Sequence, residues 1–179
     1  MILSERLRLR SWRDSDRAAF GALNADPEVS RDLGGPLTRA ASDAKLARYT
    51  ATFEQVGFCR WLVEDLNGQF LGYAGVMPSR PGHQLGGHFD IGWRLVRAAW
   101  GHGYATEAAR ASLRDAFERV HLTEVLAYTS ADNVRSQAVI KRLNMQRATS
   151  LDHSEPMGEG MWQGLVWMAR SSDGRGPAI

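Results

Sequence analysis

The sequence predicts an α/β domain built on one mixed sheet, and three observations carry that prediction. Two strand-like runs, 59–65 and 70–77, are joined by Asn67-Gly68, a dipeptide suited to a tight hairpin because both positions tolerate a positive φ. The pattern then changes: 88–95 alternates, with Phe89, Ile91, Trp93 and Leu95 on one side and His88, Asp90, Gly92 and Arg94 on the other. From Ala105 the small or apolar positions Ala108, Ala109, Leu113, Ala116, Phe117 and Val120 recur at helical spacing, opposite Arg110, Arg114, Asp115, Glu118 and Arg119. Hairpins followed by strand–helix–strand–helix place antiparallel and parallel neighbours in one sheet.

The elements follow in order. Leu7 and Leu9 alternate with Arg6, Arg8 and Arg10, as expected of a strand with one solvated face. A helix follows over 14–25 with Asp14 as its N-cap, then an irregular stretch through Asp26-Pro27 and Gly34-Gly35-Pro36. Thr38 caps a helix running to 56. After the hairpin, 78–87 is a loop before the strand carrying Asp90. A strand at 124–130, a helix opened by Asn133 and running to Leu143, and strands at 146–149 and 161–169 complete a single domain over 1–170. The Ser/Gly/Pro-rich tail 171–179 is expected to fray.

A chain of 179 residues, 44% hydrophobic and 23% charged, buries a core without staples. The net charge is only +2 although the sequence pI is about 9.0, and the arginines are scattered rather than interleaved with exposed aromatics, which argues against nucleic-acid binding. The single cysteine, Cys59, excludes an intramolecular disulfide and begins a strand, where a buried structural thiol is expected. There is no N-terminal apolar leader, and no run nears the roughly 18 apolar residues of a membrane span, so a soluble cytoplasmic protein is expected.

The segment with most chemical content is Trp100-Gly101-His102-Gly103-Tyr104-Ala105-Thr106-Glu107-Ala108. It sets two glycines between a strand and a helix, so the free N–H groups of the first helical turn face whatever occupies the turn. That is an anion site, best suited to a phosphate or pyrophosphate. A Walker loop needs Gly-Lys-[Ser/Thr], and a dinucleotide fingerprint needs a small residue where Thr106 stands, so neither nucleotide motif fits.

The segment instead resembles the pyrophosphate loop of the GNAT N-acetyltransferases, with Trp100 in the place of the usual Arg or Gln. That substitution matches the RimJ/RimL branch. Two distant segments agree with the same branch: Ser4-Glu5-Arg6-Leu7-Arg8-Leu9-Arg10, and Asn133-Val134-Arg135-Ser136. The resemblance covers about residues 3–168. It implies the GNAT fold, a mostly antiparallel central sheet flanked by helices, and acetyl-CoA as co-substrate with no metal. The branch usually closes its last helix with Gly-Phe; here Asn144-Met145 stands there, and Asn also tolerates the left-handed conformation.

By this resemblance, backbone groups of Gly101, His102, Gly103, Tyr104, Ala105 and Thr106 hold the diphosphate, and Leu95, Val96 and Arg97 pair with the pantetheine arm and polarise the thioester. Asn133 also contacts that arm, although a helix cap alone explains it. Ser136 is the candidate to protonate or hydrogen-bond the departing thiolate; Ser136, Val139, Ile140 and Leu143 share the inward stripe of their helix. A local backbone role is the alternative. Asp90 and His88, on the polar face of a central strand, are candidate bases; a structural ion pair with an arginine is the alternative for Asp90.

The amine acceptor is expected between 26–36 and 152–160. The second stretch holds Asp152, Glu155 and Glu159 without a basic residue, so it either receives a cationic amine or is a solvated acidic loop. The acceptor itself stays open: a protein N-terminus or a small molecule such as a polyamine, an aminoglycoside or an amino-acid derivative. A noncatalytic acetyl-CoA binder or sensor is the rival of another class, and a homodimer is left open.

Overall fold

A computed structural model describes residues 1–157 and 160–171. Its strands are β1 (Ile2–Leu3), β2 (Leu7–Arg10), β3 (Arg60–Asp65), β4 (Phe70–Pro78), β5 (Phe89–Leu95), β6 (Glu124–Thr129), β7 (Gln146–Arg147), β8 (His153–Met157) and β9 (Gly160–Arg170). The sheet order is β1-β2-β3-β4-β5-β6-β9-β7, with β8 paired to β9. Every pair is antiparallel except β5–β6, as the strand–helix–strand pattern requires.

That parallel pair is the feature that positions the site. Its only registered partners are Asp90 and Leu126, so β5 and β6 diverge beyond Asp90. On its other side β5 stays paired with β4 along its whole length, from Phe89 to Leu95. Beyond Asp90, the β6-facing edge of β5 therefore borders a gap.

The two faces of the sheet are covered differently. On one lies α4 (Tyr104–Glu118), whose Ala108, Ala109, Leu113, Ala116 and Phe117 share a core with Leu7, Leu9, Val63, Ile91 and Leu95. Val139 and Ile140 of α5 (Val134–Arg142) join that core. On the other face, Phe20 and Leu23 of α1 (Arg17–Ala25) pack with Leu46 and Tyr49 of α3 (Arg39–Val56), Cys59 and Tyr73. Between α1 and α3 lies the short α2 (Pro27–Ser30), capped by Asp26 through the Glu28 and Val29 N–H groups.

Several local expectations hold, and others are corrected. Thr38 Oγ1 accepts the Ala41 N–H and caps α3, and Asn144 takes the left-handed conformation at φ 54°. Asp14 caps nothing. The helix starts three residues later because Asp16 accepts the Arg13 N–H at 2.7 Å and pairs with Arg10 at 2.8 Å, which closes a 3₁₀ turn over Asp14–Asp16. The face of β2 expected to be solvated is instead tied down: Arg8 and Arg10 both bind the buried Glu64 carboxylate, at 2.8 and 2.9 Å.

The expected acidic loop at 152–160 is instead a hairpin arm, β8 running against β9. Asp152 is bound to Arg147 at 2.6 Å and accepts the Val166 N–H at 2.9 Å, so its charge is committed to holding that hairpin. Glu159 and the tail from 172 lie outside the described residues. The strand expected at 146–149 shortens to Gln146–Arg147 because a 3₁₀ turn begins at Thr149. Among the described residues no helix is long and apolar enough to cross a membrane.

Candidate active site

Two cavities open on either side of the gap between β5 and β6. The larger, about 1010 Å³, runs along the first turn of α4 to α5. The smaller, about 280 Å³, lies on the α3 side of the sheet. Trp93, Arg94, Asn133 and Ser136 line both, so the cavities meet where the strands part.

The larger cleft takes its chemistry from the backbone. Gly101 and Gly103 both stand at φ +80°, a left-handed conformation that costs any residue with a Cβ, and a Cβ built on Gly101 meets nothing within 4 Å. The space before the loop is therefore open. Gly103 is the N-cap of α4, and no side chain caps the helix. Among the described residues the first N–H of α4 to find a protein acceptor is that of Glu107, on the Gly103 carbonyl at 3.1 Å. The preceding N–H groups remain for an anion.

Glu107 and Arg6, neither of them expected as a site residue, fix this loop. The Glu107 carboxylate accepts from the Arg6 N–H (2.8 Å), the Arg6 guanidinium (2.7 Å) and the Ser4 hydroxyl (2.8 Å). Burial opposes its ionisation, but these donors hold its pKa below the usual carboxylate value. Arg6 also donates to the His102 carbonyl at 3.1 Å and covers the Tyr104 ring. The N-terminal and glycine-loop motifs, far apart in the chain, are thus one structural unit.

The end of β5 is partly committed. Val96 donates its N–H to Leu71 on β4, and the Leu95 carbonyl accepts the Trp100 indole at 2.9 Å. Alternate residues of the pleat therefore turn the backbone groups of Trp93 and Leu95 toward the gap. Arg97 pairs with Asp26 at 2.9 Å, and Arg135 stacks on the Trp100 ring at 4.1 Å. Farther along α4, Arg110 lines the same cleft and has a buried Nε with no partner among the described residues.

At the junction, Asn133 Oδ1 accepts the Ser136 N–H at 3.0 Å, so Asn133 is the cap of α5. Ser136 is half-buried, and among the described residues its hydroxyl has no protein partner. Asp90 also reaches the smaller cavity, whereas His88 lines neither. Instead, His88 Nδ1 sits 3.0 Å from the Gly86 carbonyl, and its ring packs edge-on against His83. Asp90, 7% exposed, is bound by the Arg60 guanidinium, which also donates to the Asp90 carbonyl at 2.7 Å and to that of Gly75.

The smaller cavity also exposes residues that the sequence did not single out. Lys45 Nζ donates to Tyr73 Oη at 3.1 Å and contacts Asn24 Oδ1 at 3.4 Å; Arg94 Nη1 donates to the same Asn24 oxygen at 2.6 Å. Asn24 is fully buried and held by its own bonds to the Phe20 carbonyl and Ser42. Burial works against ionising Tyr73, but the Lys45 ammonium and Arg94 guanidinium outweigh it and bring its pKa down to about 7. Burial pushes the Lys45 pKa down, and it pushes the Tyr49 pKa well up. Cys59 is buried and its thiol pKa is raised by that burial, which fits a structural residue rather than a nucleophile.

Residues 6–146 match the family model described as an acetyltransferase (GNAT) domain. An uncharacterized Bacillus subtilis protein, YkkB, is 31% identical over 84% of this chain and 87% of its own length. The FsC-acetyl coenzyme A-N(2)-transacetylase of Aspergillus fumigatus is 32% identical over 66% of this chain and 53% of its own. A crystal structure of an acetyltransferase from Agrobacterium tumefaciens superposes with a TM-score of 0.82 at 26% identity, covering 96% of this chain and 95% of that one. The chain thus belongs to the GNAT acetyltransferases, which carry an acetyl group from acetyl-CoA to an amine.

Proposed function

We propose that the protein acetylates a small-molecule amine by direct attack on acetyl-CoA while both are bound. The observation carrying this is the meeting of the two cavities at Ser136 and Trp93, one walled by free backbone donors and the other closed by a titratable Tyr73. The residues of the larger cleft fit the co-substrate: the first turn of α4 offers N–H groups to a diphosphate, and the orphaned Arg110 Nε offers a donor to a further phosphate. When bound, acetyl-CoA supplies the acetyl group as an activated thioester.

This chain's residues then do four things. Gly101, His102, Gly103, Tyr104, Ala105 and Thr106 anchor the diphosphate through their backbone. Trp93 and Leu95 present N–H groups on the open edge of β5, where one donor to the thioester oxygen is typically worth about 3 kcal/mol. Ser136 donates its proton, or a hydrogen bond, to the departing sulfur. Tyr73, with its lowered pKa, accepts the proton of the incoming amine. We assign that proton to Tyr73 rather than to Asp90 because the Asp90 carboxylate is bound to Arg60, and rather than to His88 because that ring lines neither cavity. Asp90 then serves to neutralise Arg60 beneath the acceptor.

A thermal-shift and thiol-release pair tests this reading. Acetyl-CoA should raise the melting temperature, because it binds only the folded state, and a panel of primary amines should release free thiol in the presence of protein. Stabilisation by NAD or ATP but not by acetyl-CoA contradicts the assignment. Acetyl-CoA binding without thiol release for any amine favours a sensor.

A further inference from the structure

Resting on the transferase reading above, we propose that the acceptor carries a carboxylate beside its amine, as an α-amino acid does, and that Arg94 and Lys45 receive that carboxylate. The cavity wall holds the basic side chains of Lys45, Arg48, Arg60, Arg80 and Arg94; among the described lining residues Asp90 is the one carboxylate, and it is bound to Arg60.

Arg94 is the decisive residue. It is 8% exposed, its Nη1 meets only the neutral amide oxygen of Asn24, and its buried Nε has no partner among the described residues. Holding a guanidinium out of water without a counter-charge is costly, and a bound anion removes that cost. Lys45 converges on the same Asn24 oxygen, so two cations share one neutral acceptor. When Tyr73 is ionised its single negative charge faces both Lys45 and Arg94, so one positive charge is left over. A planar guanidinium fork is the natural partner of a carboxylate.

The same features weigh against other acceptors. A polyamine brings further positive charges toward Lys45, Arg48, Arg80 and Arg94. A protein N-terminus offers Arg94 an amide carbonyl where a free amino acid offers a full charge. The volume of about 280 Å³ also suits a molecule of amino-acid size rather than a polypeptide segment.

The test measures kcat/KM by thiol release for the standard L-amino acids, their carboxamides, and spermidine. Carboxylates should exceed their matched carboxamides by about 10–100-fold, the range of a charge-assisted hydrogen bond. The preference should collapse toward one in Arg94→Gln and survive in part in Arg94→Lys, with the acetyl-CoA thermal shift confirming that each variant is folded. The wild-type comparison needs no variant to fold. Carboxamides or spermidine acetylated as well as the carboxylates overturn the substrate class and leave the transferase standing. No thiol release with any acceptor of the three sets overturns both.

Discussion

The larger cleft takes its chemistry from main-chain groups supplied by consecutive residues, whereas the smaller cavity takes its chemistry from side chains drawn from separate elements. In the cleft, Gly101 and Gly103 bend the chain so that the N–H groups of one turn converge, and Glu107 with Arg6 fixes that turn from outside. At the wall of the smaller cavity, Lys45 of α3, Tyr73 of β4 and Arg94 of β5 form one hydrogen-bonded cluster with the buried Asn24 of α1. The first design suits a ligand that never changes; the second can be rewritten one side chain at a time.

The largest expected effect breaks the acceptor side alone. Tyr73→Phe should lower kcat by about 10²–10⁴-fold near neutral pH, the usual range for a lost general base. The sign of its pH dependence follows from the pKa of about 7: the phenolate is the base, so wild-type activity should fall about tenfold per pH unit as pH drops below 7. The groups facing Tyr73 are Lys45 and Tyr49 from α3 and Arg94 from β5, so the limb should shift in Lys45→Met. A pH–rate profile of each variant checks this, and an unaltered limb in Tyr73→Phe removes it as the base.

Asp90→Asn should act on stability rather than on proton transfer. It leaves the buried Arg60 without a counter-charge, a loss of about 3–5 kcal/mol, or roughly 6–20 °C of melting temperature for a chain of this size. Its surviving activity should keep the wild-type pH–rate profile. A variant that melts normally but loses its acid limb makes Asp90 the base after all.

Gly103→Val breaks the cleft side alone. A β-branched residue at φ +80° is strained and crowds the backbone approach to the diphosphate. The acetyl-CoA thermal shift should vanish; at a hundredfold excess over Kd that shift represents about 2.7 kcal/mol in the wild type. Ser136→Ala sharpens the boundary between the two sides and should be the mildest. It should cost about tenfold in kcat with little change in the KM for acetyl-CoA, because a donor to the departing sulfur acts mainly in the transition state. Steady-state kinetics with any accepted amine settles it, and an unchanged kcat leaves Ser136 with a local backbone role only.

The same contrast decides what could be read in the sequence. The glycine loop was legible because its residues are consecutive and its geometry is local, and the hairpin at Asn67-Gly68 and the caps Thr38 and Asn133 were legible for that reason too. The Lys45–Asn24–Arg94 cluster was not, because no local rule joins α1, α3 and β5. A signal did exist: Arg94 follows Asp90 on the same face of a buried strand, and each charge there asks for a partner. The acidic stretch at 152–160 misled because the partner of Asp152, Arg147, lies on the strand before the hairpin and cancels its charge.

Direct transfer requires that the two cavities be filled together and communicate at Ser136. Initial velocities measured over a grid of acetyl-CoA and acceptor concentrations test that most directly. Simultaneous occupancy predicts double-reciprocal lines that intersect, with no thiol released before the amine is added. Parallel lines, with a stoichiometric burst of thiol from acetyl-CoA alone, mean that an acetylated enzyme forms first and contradict direct transfer.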